Sequence, residues 1–142
     1  MIVGYGIDIM SIDRIKEAIM RFGEYFLSKV YTVEERRQAE ERRKSSYEVY
    51  TAYWAAKEAV MKALGTGHRK GVRFRDIEIR HENSGKPYVL LHGRSEEYAR
   101  KLHVHNIVLS MSHLHDNAIA SVIFESKESG RHKQSQNKGE RT

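Results

Sequence analysis

Residues 46–64, SYEVYTAYWAAKEAVMKAL, are the most regular stretch of this chain, and everything else must pack around them. Ser45 or Ser46 begins the helix, and Gly65-Thr66-Gly67 stops it, because glycine takes the left-handed cap without steric cost. Along it Trp54, Glu58, Lys62 and Gly65 follow at steps of four, four and three. One stripe therefore presents a carboxylate, an ammonium one turn later, and a glycine end. Taken alone, Glu58 and Lys62 fit an ordinary surface ion pair better than a site.

The flanking segments give an α+β order, a mostly antiparallel sheet against one long central helix. IVGYGIDI alternates like a first strand, with Asp8 near its end. Ser11 caps a helix that buries Ile12, Ile15, Ile19 and Phe22 and turns Arg14, Glu17 and Arg21 to solvent. Thr32 and Glu35 have capping-box spacing ahead of EERRQAEERRK, which reads as a solvated helix to about Arg43. FRDIEIR and KPYVLL form a hairpin through HENSG, with Pro87 opening the second strand. SEEYARKL is a short helix capped by Ser95, and NIVLSMS and AIASVIF pair through HLHDN.

A chain of 142 residues holds one modest domain, here residues 1–126. Residues 127–142 contain no Val, Ile, Leu, Phe, Met, Trp or Tyr and read as a disordered polar basic tail. That tail has five Lys/Arg against two Asp/Glu, half of the net charge of +6. The core's basicity is thus modest. A nucleic-acid-binding module with Tyr47, Tyr50, Tyr53 and Trp54 as a stacking platform is the competing reading, and these aromatics at helical spacing fit a core more simply. With no Cys, disulfides, thiolate zinc sites and cysteine nucleophiles are excluded. No apolar run approaches a membrane span, and the N-terminus lacks the order of a signal peptide, so a soluble, cytoplasmic protein is expected.

Asp8, set between two isoleucines, and Glu58, inside an alanine-rich stretch, are the conspicuous carboxylates. Paired across a fold they suit Mg²⁺, a hard ion held by few carboxylates, waters and phosphate oxygens. Lys62 and the turn Gly65-Thr66-Gly67-His68-Arg69-Lys70-Gly71 add cations and close backbone approach, although no Walker loop is present. His103-x-His105 and His113-x-His115 suggest zinc instead, with all ligands drawn from His and carboxylate. His113 directly follows a strand, beside Ser110 and Ser112.

The segments GIDIMSIDRI (6–15), WAAKEAVMKALGTG (54–67), DIEI (76–79), NSGKPYV (83–89) and VLSMSH (108–113) together resemble the holo-[acyl-carrier-protein] synthase family, the small bacterial 4′-phosphopantetheinyl transferases. The resemblance runs from residue 1 to about 125. It implies that family's fold, a homotrimer with sites between subunits, and transfer of phosphopantetheine from coenzyme A to a serine of an acidic apo acyl carrier protein. It also implies Asp8 and Glu58 as Mg²⁺ ligands and Lys62 on the phosphates. Gly65, Arg69, Ser110, Ser112 and His113 would line the coenzyme A site, and Arg14 and Arg21 would dock the carrier. The proton acceptor stays open between Glu58, a metal-linked water and His113. Tyr53 stands where many relatives have Arg, a cation that Arg69 or Lys70 would have to replace.

Overall fold

The computed structural model describes residues 1–127. The alanine-rich segment is its axis: α4 (Ser46–Leu64) ends at Gly65, whose φ of 77° is left-handed. Before it lie β1 (Ile2–Ser11), α1 (Ile12–Phe22), α2 (Glu24–Val30) and α3 (Val33–Glu41); after it come β2 (Ile77–His81), β3 (Pro87–Leu91), α5 (Gly93–Lys101), β4 (Asn106–Leu114) and β5 (Asn117–Glu125). The strands form two antiparallel sheets, β1-β5-β4 and β2-β3, and both pack on α4. The expected α+β architecture is present, its strands divided between two sheets rather than one. The polar tail beyond Lys127 lies outside the described residues.

The seam between β1 and α4 is a main-chain contact. A Cβ at Gly6 would sit 2.0 Å from the Ala59 carbonyl oxygen, and one at Gly4 would sit 2.5 Å from that of Ala63. Ala59 and Ala63 are themselves buried and small. Glycine on the strand and alanine on the helix thus let the two elements approach closely enough to seal the core. Ala118, Ala120, Val122 and Phe124 of β5 fill the same layer, each at most 1% exposed.

A buried ion pair ties a second region to α4. Lys57 and Glu35 are both fully buried, with Nζ 2.8 Å from Oε1. Lys57 also donates to the carbonyls of Phe74 and Ile77, while Glu35 accepts from the main-chain N–H of Thr32 and of Ile79. Burial pulls the Lys57 ammonium below its ordinary value, and the Glu35 charge opposes that shift. Every partner is satisfied, so the pair fixes α3, α4 and β2 together; losing one member would strand a buried charge at roughly 3–5 kcal/mol. The charge run 34–44 is therefore not a wholly solvated face. Its Glu35 both closes the capping box with Thr32 and enters the core.

Three further expectations change. Residues 24–30, to which the sequence reading gives no element, form α2, separated from α1 by Gly23. Phe22 does not join Ile12 and Ile15 in the core but is 52% exposed at the end of α1. The last helix begins at Gly93, before the expected Ser95 cap. Ser95 is buried in its first turn and donates to the carbonyls of Asp76 and His92.

Because the β1–α4 contact leaves no room for a methyl group, Gly6→Ala is expected to lower stability by about 2 kcal/mol or more, the upper range of overpacking costs. Urea unfolding measures it; an unchanged midpoint would contradict the close approach.

Candidate active site

The β1–α4 seam places the residues that carry charge. Period-two alternation turns Gly4, Gly6, Asp8 and Met10 toward the helix, so Asp8 leaves the strand on the α4 side, opposite Ala120. The 3.6-residue period brings Glu58 and Lys62 to the facing stripe. Lys62 Nζ lies 3.1 Å from Asp8 Oδ1 and donates to the Ile7 carbonyl at 2.8 Å. Asp8 Oδ2 is buried and takes no hydrogen bond. Glu58 Oε1 lies 3.0 Å from His68 Nε2, in the glycine turn after the helix. Lys62 therefore reaches across to the strand rather than forming the i,i+4 pair with Glu58.

Burial raises the Glu58 carboxyl above its ordinary range; His68 lowers it, the Asp8 charge raises it further, and Lys62 lowers it. A carboxylate raised in part by a neighbouring acid, itself with an unsatisfied buried oxygen, makes a site that a hard cation would satisfy. Beside it, Gly65 faces open space, where even a Cβ would meet nothing within 4 Å. Arg69 is exposed in the same turn.

The other expected residues stand elsewhere in the chain. On β4, Ser110 and Ser112 point to one face of the sheet and His113 to the other, all three exposed. His113 is part of the strand rather than following it, since β4 runs to Leu114. Ser112 and His113 line a cavity of about 650 Å³ with Arg42, Tyr53, His81 and Gly85. Arg42 lies near Tyr53. Tyr53 itself is buried, donates to Gln38 Oε1 at 2.7 Å, and has its hydroxyl pushed up mainly by burial. Neither Tyr50 nor Tyr53, at 1% and 3% exposure, is available for stacking on bases. The zinc reading finds no ligand set: among the described residues no three His, Asp or Glu side chains gather around a common point.

Arg14 and Arg21 are both exposed on α1 and share a shallow groove with Met20 and Phe22. Phe22 also borders a larger groove of about 1120 Å³, walled by Tyr25, Phe26, Trp54 and Phe74. Sequence reasoning misses this groove because α2, which supplies two of its walls, is too short for a periodic signal. It also treats His68 only as one cation in a basic turn, with nothing in the linear pattern to show the turn folding back onto Glu58.

A carboxylate pair with an adjacent lysine and a glycine turn could hold a cation and phosphate oxygens. Comparison with known proteins gives the class its name. Residues 4–129 match the model of the 4′-phosphopantetheinyl transferase superfamily, and the chain belongs to that family. The holo-[acyl-carrier-protein] synthase of Solibacter usitatus (strain Ellin6076) is 47% identical over 125 residues, 88% of this chain and 99% of that protein. The crystal structure of holo-[acyl-carrier-protein] synthase from Neisseria meningitidis superposes with a TM-score of 0.78 at 35% identity, over 89% of this chain and all of that one. That of the Bacillus anthracis protein in complex with CoA (3′,5′-ADP) has a TM-score of 0.74 at 37% identity, over 89% of this chain and 99% of that one.

The raised Glu58 carboxyl gives a signed expectation. Ionising it costs more in the fold than in the unfolded chain, so its contribution to metal-free stability falls as pH rises from 4.5, the ordinary value, through the raised one. Glu58→Gln removes that cost. Its melting temperature should gain on wild type as pH goes from about 4.5 toward neutrality; a gap that is constant with pH would contradict the assignment.

Proposed function

We propose that this protein is a holo-[acyl-carrier-protein] synthase, transferring 4′-phosphopantetheine from coenzyme A to a serine hydroxyl of apo acyl carrier protein. The observation that carries the reading is that Lys62 of α4 bridges to Asp8 of β1, whose second oxygen is buried without a partner, with Glu58 close enough for the Asp8 charge to raise its carboxyl. Asp8 and Glu58 would hold Mg²⁺, which supplies neutralisation of the diphosphate charge when bound. Lys62, anchored by the Ile7 carbonyl, engages the phosphate oxygens from the helix side. Gly65 and the turn after it admit the diphosphate at the helix end, with Arg69 as a further cation.

Serine Oγ forms a bond to the β-phosphorus as the bond from that phosphorus to the bridging oxygen breaks, and adenosine 3′,5′-bisphosphate leaves with that oxygen. The serine proton is lost on the same face. Such a transfer depends on in-line placement and charge stabilisation more than on covalent help. His113 is not beside Asp8 and Glu58 in the same chain, so a carboxylate-oriented water is the favoured proton acceptor.

The carrier docks on α1 and α2. Arg14 and Arg21 offer charge to an acidic helix, and exposed Met20, Phe22 and Tyr25 offer apolar contact. The groove they open leads past Trp54, one helical turn before Glu58. This supports delivery of a carrier serine to the carboxylates.

A homotrimer completes the site. The outer face of β1-β5-β4 carries Tyr5, Ile7, Ile9, Ile119, Ile123 and Val108, each at least 38% exposed, a contiguous apolar surface of the kind that marks an interaction site. Ser110 and Ser112 lie on that same face, in register with Ser121 and Ile119. Assembly through it would bring Ser110 and Ser112 of one subunit to the interface with the next. No helix among the described residues is long and apolar enough to cross a membrane, and a Cys-free chain suits a reducing cytoplasm.

Mass spectrometry of apo carrier protein incubated with coenzyme A, Mg²⁺ and enzyme should show a phosphopantetheine-sized gain. Asp8→Ala and Glu58→Ala should each slow it at least about 100-fold, the order expected when charge stabilisation at the transferring group is lost; full activity in both would defeat the reading. Ile7→Arg should convert the trimer to monomer in light scattering and abolish transfer together with it, whereas an active monomer would contradict the shared site.

A further inference from the structure

Two imidazoles compete for a place near the reacting centre, and in a single chain it is His68 that stands there. Its Nε2 lies 3.0 Å from Glu58 Oε1. The ring is also held from behind. Its centroid is 5.3 Å from that of Phe74, Phe74 stacks on Trp54 at 4.4 Å and 24°, and Trp54 stacks on Phe26 at 5.9 Å and 22°. The main chain is fixed as well. The N–H groups of Thr66 and Gly67 both donate to the Met61 carbonyl, and that of Arg69 donates to Thr66, which folds the turn back toward the helix stripe.

Each carboxylate is gripped on one oxygen, Asp8 Oδ1 by Lys62 and Glu58 Oε1 by His68, and Asp8 Oδ2 is buried without a hydrogen bond. A carboxylate gripped on one oxygen has its rotamer set, and its second oxygen is presented in a fixed direction. We propose that His68 is a positioning residue for Glu58, seated on the Phe74–Trp54 stack, which orients that carboxylate toward the cation it shares with Asp8. The inference rests on the reading of Asp8 and Glu58 as joint ligands. Partners behind a ligand typically change metal affinity 10- to 100-fold, because an unheld ligand must be ordered when the ion binds.

The test is titration of the full-length protein with Mn²⁺ alone, read by electron paramagnetic resonance, without coenzyme A or carrier. Asp8→Asn should abolish binding. His68→Ala should weaken it about 10-fold with an unchanged metal-free melting temperature, and His68→Gln, which keeps a side-chain N–H donor, should recover to within about threefold of wild type. Phe74→Leu, which removes the ring platform but keeps an apolar side chain, should weaken binding less than His68→Ala does. If Asp8→Asn fails to bind while His68→Ala binds like wild type, the positioning role is overturned and the joint-ligand reading stands. If His68→Gln is as weak as His68→Ala, the contact to Glu58 is not what matters and the role is likewise overturned. If Asp8→Asn binds like wild type, both readings fall.

Discussion

The main chain of β1 rests against the main chain of α4, and the site exists because of that contact. Positions 4 and 6 carry no side chain, and positions 59 and 63 of the helix carry only a methyl group, so strand and helix meet at a distance no larger residue would permit. Two residues further along the strand, alternation delivers Asp8 on the same side. One turn back from Lys62 along the helix, Glu58 lies on the same stripe. A strand a few ångströms further out would leave two isolated surface carboxylates; the close seam lets the Asp8 charge help raise the Glu58 carboxyl, the arrangement a cation would relieve.

Charge in this protein is used in two distinct ways, both on α4. Lys57 is turned inward and spent entirely on structure: it satisfies Glu35 and two carbonyls and holds α3 and β2 in place. Its neighbour Glu58, about 100° around the helix, instead meets His68 in the turn after the helix. Lys62, a turn further on, bridges to the strand instead of neutralising Glu58. Adjacent positions in the run KEAVMK thus separate fold maintenance from site chemistry, and the buried pair gives α4 the rigidity on which a precise carboxylate geometry depends.

Much of this is legible in the linear sequence. The helix and its glycine stop, the Thr32–Glu35 capping box, the Pro87 hairpin and the pairing of the last two strands all follow from local rules, and the structure keeps them. Asp8 and Glu58 are conspicuous because each interrupts an apolar context. What stays hidden depends on tertiary approach. Glu35 reads as one acid among many in a charged run, and only the fold shows that it points at Lys57. Phe22 fits the apolar stripe of α1 yet lies beyond the reach of the core, because α2 turns away at Gly23. His68 belongs to a basic turn by composition, and its contact with Glu58 needs a reversal that no spacing encodes. Ser110, Ser112 and His113 sit in one short motif whose alternation sends them to both faces of a sheet, so reading them as one cluster overlooks the pleat.

The central claim is that one divalent ion is gripped jointly by the strand acid and the helix acid. Anomalous diffraction from crystals grown with Mn²⁺ tests it directly. The account requires a single strong peak about 2.1 Å from a carboxylate oxygen of Asp8 and of Glu58 alike. A peak bound elsewhere, or on one of the two acids with the other beyond reach, would contradict it.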